Sequence, residues 1–229
     1  MGQGAPRVAG ALVCLVVVLA EPAGSHASRL RDVLGGPSVT VLAGRLQTGP
    51  PWTWLLLGLL FVVASVPLVQ LDAAAISLTL VRGVSRRRWA AARLAAVAAG
   101  ACAFLTLVVA VAAVTVFIGW RSGPLLTSRA AGDIGLWALG LTGLGWWQLA
   151  LGILCDTPWP GFTAAVLLLG VSAFGSSLAP FVPVAQTIVS LHGLPGTLSW
   201  AGGAWFLAGW TAVGAVVVLT CASGRLGYR

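Results

Sequence analysis

The sequence predicts an all-α, polytopic membrane protein with six transmembrane helices and a positively charged cytoplasmic loop between the second and third. Three observations predict it. Hydrophobic residues make up 59% of the 229 and charged residues only 8%, with a mean hydropathy of +0.98. A soluble domain carries roughly 25% charged residues, so this chain lacks the polar surface that water would require and must use lipid as solvent. Apolar runs recur at about the 20-residue length that crosses a bilayer at 1.5 Å per residue. Finally, Arg82, Arg86, Arg87, Arg88 and Arg93 are five of the thirteen basic residues, and they lie together between two of those runs.

The elements follow in order. The first span, 7–22, is short. Arg7, the apolar run to Ala20 and Ser25-His26-Ala27 also resemble a secretory signal with a small-x-small cleavage site, whose removal leaves five spans. An uncleaved first span is the simpler reading of a polytopic chain. Residues 23–51 form an external loop in which Ser28 to Leu34 suits a short interfacial helix. The second span is 52–71. The third, 90–119, is long enough to project beyond the hydrocarbon on one side. The fourth and fifth are 134–155 and 160–180. The stretch 181–200 is rich in turn residues, with Pro183, Gly193, Pro195 and Gly196, and Val184 to Leu191 suits a brief helix dipping back toward the membrane. The sixth span is 198–221. No internal repeat and no soluble segment interrupts this pattern, so 1–229 reads as a single transmembrane domain.

Six spans put both termini on one side. Cytoplasmic termini place Arg7, Arg82, Arg86, Arg87, Arg88, Arg93, Arg225 and Arg229 inside, and Arg29, Arg31, Arg45, Arg121 and Arg129 outside. The positive-inside rule favours that orientation because the central loop is much the densest. Trp52, Trp54, Trp120 and Trp200 then mark the outer interface, and Trp89 and Trp159 the inner one, where an indole finds both apolar and polar surroundings.

Composition also excludes functions. The chain has no lysine, hence no Walker A motif, and no asparagine, hence no N-glycosylation acceptor. Both absent residues use A-rich codons, which points to a GC-rich bacterial genome and so to a bacterial cytoplasmic membrane. The formal charge of +8 comes wholly from arginine. In a soluble protein it would suggest nucleic acid; here the arginines flank apolar segments, so no nucleic-acid partner is expected. Cys14, Cys102, Cys155 and Cys221 form no close pair and read as small hydrophobes, with no metal-binding spacing.

After the second span the chain reads Gln70-Leu71-Asp72, then Ala73 to Val81, then Arg82-Gly83-Val84-Ser85-Arg86-Arg87-Arg88-Trp89 into the third span. This resembles the second-to-third-span cytoplasmic loop of the ABC-2 type permeases, the membrane subunits of one class of ATP-binding-cassette exporter. Six spans, a length near 230 residues and the turn-rich segment before the last span resemble that family too. The resemblance implies a permease worked by a separate cytoplasmic ATPase subunit, which would bind ATP and Mg²⁺; no cofactor is expected in this chain. It also implies a second permease subunit, identical or related. Arg82, Arg86, Arg87 and Arg88 would pair with carboxylates on the ATPase or with lipid phosphates. Gly83 and Ser85 would permit the turn back to the bilayer, and Trp89 would anchor the third span at headgroup depth. The plainer reading of the same arginines is topological: basic residues beside a span hold anionic lipid at about 1 kcal/mol each. The two roles are compatible.

Polar residues inside the spans are few. Gln148 lies in the fourth, beside Trp146 and Trp147, and is either a functional intramembrane site or an interhelical hydrogen-bonding group. Asp72, Asp133 and Asp156 fall at span ends, which suits solvation or capping and weakens any proton-coupled scheme. Ala91, Ala95, Ala99 and Ala103 repeat every fourth residue and allow close approach of another helix, within the chain or in a dimer. Gly170-Val171-Ser172-Ala173 approaches an intramembrane serine protease pattern without its last glycine, and His192, the histidine nearest to it, falls in a loop. A membrane scaffold or accessory subunit that transports nothing is the principal rival to the permease.

Overall fold

The computed structural model describes residues 39–42, 45–48, 52–69, 83–118, 128–174, 181–188 and 198–225. Within them lie five α-helices: α1 (Trp52–Val69), α2 (Arg86–Ile118), α3 (Ser128–Cys155), α4 (Trp159–Phe174) and α5 (Trp200–Arg225). A short 3-10 helix, Pro183–Thr187, precedes α5. A small antiparallel hairpin pairs β1 (Val39–Leu42) with β2 (Arg45–Thr48), Val39 opposite Thr48 and Leu42 opposite Arg45. The hairpin lies within the expected loop 23–51, and the other described elements are helical as expected. Its first strand, Val39-Thr40-Val41-Leu42, is rich in the β-branched residues that favour a pleated ribbon. The expected span 7–22 and residues 72–82 of the expected coupling loop, 72–94, lie outside the described residues, as does the interfacial helix expected at 28–34.

Three helices are long and apolar enough to cross a membrane, through Arg86–Val111, Ala131–Cys155 and Trp200–Gly224. The helices at Trp54–Val69 and Trp159–Ser172 are apolar but shorter. Among the described residues, then, three helices meet the length and hydropathy that crossing a membrane demands, which supports a helical membrane protein.

The helices pack around α3, which touches all four others and the 3-10 helix. Two buried clusters stack along the bundle. One gathers Trp54, Phe61, Leu105, Trp137, Leu144 and Leu169. The other, at the Arg86 end, gathers Val69, Trp89, Leu94, Leu149, Ile153 and Val218. Glycines on α3 set the close approaches. A Cβ on Gly145 would fall on a Val97 methyl of α2, and one on Gly143 would meet the Trp210 ring and Thr211 of α5. Small residues are how helices approach in lipid, where apolar burial drives no association.

Three residues turn the chain from α3 into α4. Asp156 holds φ of 58°, a left-handed conformation that ends α3 and that Asp tolerates better than most side chains. Phe162 N–H then donates to the Pro158 carbonyl at 3.0 Å as α4 begins. At the start of α5, Ser199 Oγ accepts from Gly202 N–H at 3.2 Å, an N-cap.

Within the turn-rich region before α5, residues 184–188 pack into the bundle. Val184, Ala185, Gln186 and Thr187 of the 3-10 helix are buried. Trp54 Nε1 donates to Thr187 Oγ1 at 2.7 Å, which in turn donates to the Val184 carbonyl. The segment starts at Pro183 because proline fits the first turn, where its missing N–H leaves no bond unmade. Its extent, Pro183–Thr187, is shorter than the expected Val184 to Leu191; residues 189–197 lie outside the described ones.

Candidate functional site

The basic end is built from a turn and a cap. Gly83 adopts φ of 81°, which a side chain resists, and is exposed with nothing crowding its missing Cβ. Ser85 caps α2: its Oγ accepts from Arg88 N–H at 3.3 Å, and its carbonyl accepts from Trp89 N–H at 3.0 Å. The cap moves the helix start four residues ahead of the expected 90. Arg86, Arg87 and Arg88 therefore form the first turn of α2 and are not part of a loop. Arg87 and Arg88 are exposed and Arg86 is half-buried. Arg82 lies outside the described residues.

That placement costs stability. The amino end of a helix carries partial positive charge, and each cation there is unfavourable by about 0.3–1 kcal/mol. The first turn contains no acidic residue to offset it.

Trp89, expected as the anchor of the third span, turns its ring toward protein. It is 6% exposed and belongs to the buried cluster at this end of the bundle. The phase of α2 explains it: Trp89, Ala90, Leu94, Val97, Ala101, Leu105 and Val108 line the inward face. Arg93 likewise turns inward. Its Nη1 donates to the Leu68 carbonyl at 3.1 Å, and its guanidinium lies 5.6 Å from the Trp89 ring centre. Leu68 is in the last turn of α1, where carbonyls lack helical partners, so Arg93 caps one helix from another. Trp146 Nε1 adds a bond from α3 to the Leu94 carbonyl at 3.0 Å. Helix α2 is thus bonded to α1 at Arg93 and to α3 at Leu94, about two turns beyond its exposed arginines.

Gln148 is 2% exposed and lies between helices. Its Oε1 is 2.8 Å from Ser65 Oγ of α1, and its Nε2 is 3.5 Å from the Val62 carbonyl. Ser65 Oγ also lies 2.9 Å from the Val62 carbonyl, so its single proton serves one acceptor at a time. A Cβ on Gly161 of α4 would fall on the Gln148 carbonyl and come within 2.8 Å of its Cα. Gln148 is therefore the point where α1, α3 and α4 meet.

Several polar residues occupy places the sequence did not indicate. Asp133 is buried, not solvated, and its Oδ1 accepts from Trp200 Nε1 at 3.3 Å. Trp54 is buried against Thr187, where its N–H finds a protein partner. Trp159 and Trp200 do remain exposed. Ser172 Oγ donates to the Leu168 carbonyl of its own helix at 2.7 Å, and His192 lies outside the described residues. Cys102 and Cys155 are exposed and Cys221 half-buried, all three free thiols. Among the described residues, no three His, Cys, Asp or Glu side chains gather as metal ligands would. Ser65 and Arg93 are the partners sequence reasoning missed; the one signal for Ser65 was its own polarity within an apolar run.

Compared with known proteins, the chain matches no family model, no curated protein and no solved structure.

Proposed function

We propose that this chain is the membrane-spanning permease subunit of an ABC-2 type exporter, worked by a separate cytoplasmic ATPase that grips it at Arg82, Gly83, Ser85, Arg86, Arg87 and Arg88, with buried Trp89 holding that turn to the bundle. One observation carries the reading: the exposed arginines open a 33-residue helix that is bonded to two neighbours about two turns further on, at Arg93 and Leu94. A force applied there reaches α1 through Arg93 and α3 through Trp146 without a flexible joint. Exposed guanidinium groups suit carboxylates on a partner, and each such charge-assisted bond is roughly twice as strong as a neutral one. In this reading the six spans leave both termini in the cytoplasm of a bacterium, ATP and Mg²⁺ bind the partner, and two permeases form the working unit.

A membrane scaffold is the second reading, and the filled interior favours it. Buried residues between the described helices are overwhelmingly apolar, with Gln148 bonded to Ser65 at their junction. A transport path would then run between two permeases and not through one. Co-purification separates the readings. Wild-type protein extracted from its native membrane should bring down an ATP-hydrolysing subunit. Replacing Arg86, Arg87 and Arg88 with glutamate should remove most of it while the protein stays inserted. Recovery of the wild type without any ATPase would favour the scaffold.

A further inference from the structure

A half-open cleft lies between α4 and α5. Both helices pack on α3 but scarcely touch each other, so α3 forms the floor. The cleft holds about 120 Å³, lined by Trp147 and Leu151 of α3, Gly161, Ala164 and Leu168 of α4, and Trp210 of α5, among others. Trp147 and Trp210 stack at 6.1 Å with 23° between their planes. The polar atoms nearby are already used within the protein: Trp147 Nε1 donates to the Trp210 carbonyl at 3.2 Å, and Gln148 bonds Ser65. The cleft therefore offers a ligand only hydrocarbon surface. An apolar cavity of roughly 150 Å³ stays dry and accepts hydrocarbon, because a water there would lack partners.

Its depth identifies the hydrocarbon. Residues 144–151 of α3 lie about 6–16 Å from the Cys155 end of the helix at 1.5 Å per residue. That end is the Arg86 end, since Ile153 and Trp89 share one buried cluster. Beside the cleft the large exposed side chains are the apolar Leu167 and Val171 on α4 and Val213 and Val216 on α5, with Thr163 of α4 exposed toward the Trp159 end. At that depth the surrounding medium is the acyl region of one leaflet. We propose that the cleft binds one acyl chain of a phospholipid drawn from the leaflet on the Arg86 side. Gly161 brings α4 close to α3, small Ala164 leaves room for the chain on one wall, and the stacked indoles give it a flat surface. The site requires only that the helices lie in a bilayer, and it stands or falls separately from any ATPase partner.

Photo-crosslinking of the full chain in lipid nanodiscs tests this. Phosphatidylethanolamine with a diazirine at mid-chain is compared with the same lipid carrying the diazirine next to its headgroup, and adducts are mapped by mass spectrometry. Mid-chain label should concentrate on the Ala164–Leu168 and Trp210 peptides, at least fivefold above headgroup-proximal label. Ala164→Phe, which fills the cleft, should lower the mid-chain adducts at least fivefold, whereas Leu167→Phe on the outward face should leave them unchanged. Mid-chain label spread evenly over every outward-facing helix would overturn the proposal, and so would cleft adducts that survive Ala164→Phe. The comparison of the two lipids needs no variant, so it decides the matter even if Ala164→Phe does not fold.

Discussion

Helices α2 and α3 invert the order that a soluble protein would show. The crossing segment of α2 has a mean hydropathy of 2.5 and is 28% buried; that of α3 has a mean hydropathy of 1.4 and is 61% buried. The less apolar helix is the centre. In water the more apolar helix would be hidden, because burial of apolar area drives folding. In lipid that drive vanishes between helices, and close packing and hydrogen bonds decide which helix is inside. Helix α3 holds Gly140, Gly143, Gly145 and Gln148, each against a different neighbour. Helix α2 turns Ala91, Ala95, Ala99 and Ala103 outward. Small residues therefore mark a helix core in α3 and a surface in α2, and side-chain size alone does not tell them apart.

The sharpest way to break this contrast is at a glycine wall. Gly161→Ala puts a methyl on the Gln148 backbone, which has no rotamer with which to yield. It should destabilise the bundle by about 3 kcal/mol, the upper range for overpacking, read by unfolding in a rising fraction of SDS. Gly209→Ala on α5 meets nothing within 4 Å and should be neutral or stabilising by up to about 1 kcal/mol. Equal losses from both would mean that α3 is not the packing centre.

Polar contacts come next. Gln148→Leu and Ser65→Ala should each cost about 1 kcal/mol, and the double variant about the same as either single one, since interhelical hydrogen bonds in membranes average near 0.6 kcal/mol. Additive losses would show that the two residues act separately. Arg93→Gln removes the charged cap on Leu68 and the contact with the Trp89 ring, and should cost about 1 kcal/mol in the same assay. The smallest effect belongs to the outward alanines: Ala95→Leu should shift stability by less than about 0.5 kcal/mol in the isolated protein. A large loss there would place that face inside a packed contact.

How much of this was legible beforehand depends on the kind of signal. The helices at 52–69, 86–118, 128–155, 159–174 and 200–225 follow expected apolar runs because hydropathy is summed over many residues and tolerates local error. The start of α2 was misplaced because Arg86 to Arg88 look like loop residues by charge, whereas a single hydroxyl at Ser85 decides where the helix begins. The inward turn of Trp89, Trp54 and Asp133 was not legible either. Each has a partner far along the chain, Thr187 for Trp54 and Trp200 for Asp133, and a linear pattern carries no such distances. Gln148 stood out in the sequence for its polarity, but its pairing with Ser65 required the fold.

The coupling role and the leaflet assigned to the acyl chain's headgroup both depend on which side of the membrane holds the first turn of α2. Thiol labelling reads that directly. Cys14, Cys102, Cys155 and Cys221 are replaced by alanine, Arg87→Cys is introduced, and a membrane-impermeant maleimide is applied to sealed vesicles of each orientation. The account predicts labelling in inverted vesicles, whose cytoplasmic face is outward, and protection in right-side-out ones. Labelling of Arg87→Cys from the external face of right-side-out vesicles would contradict it.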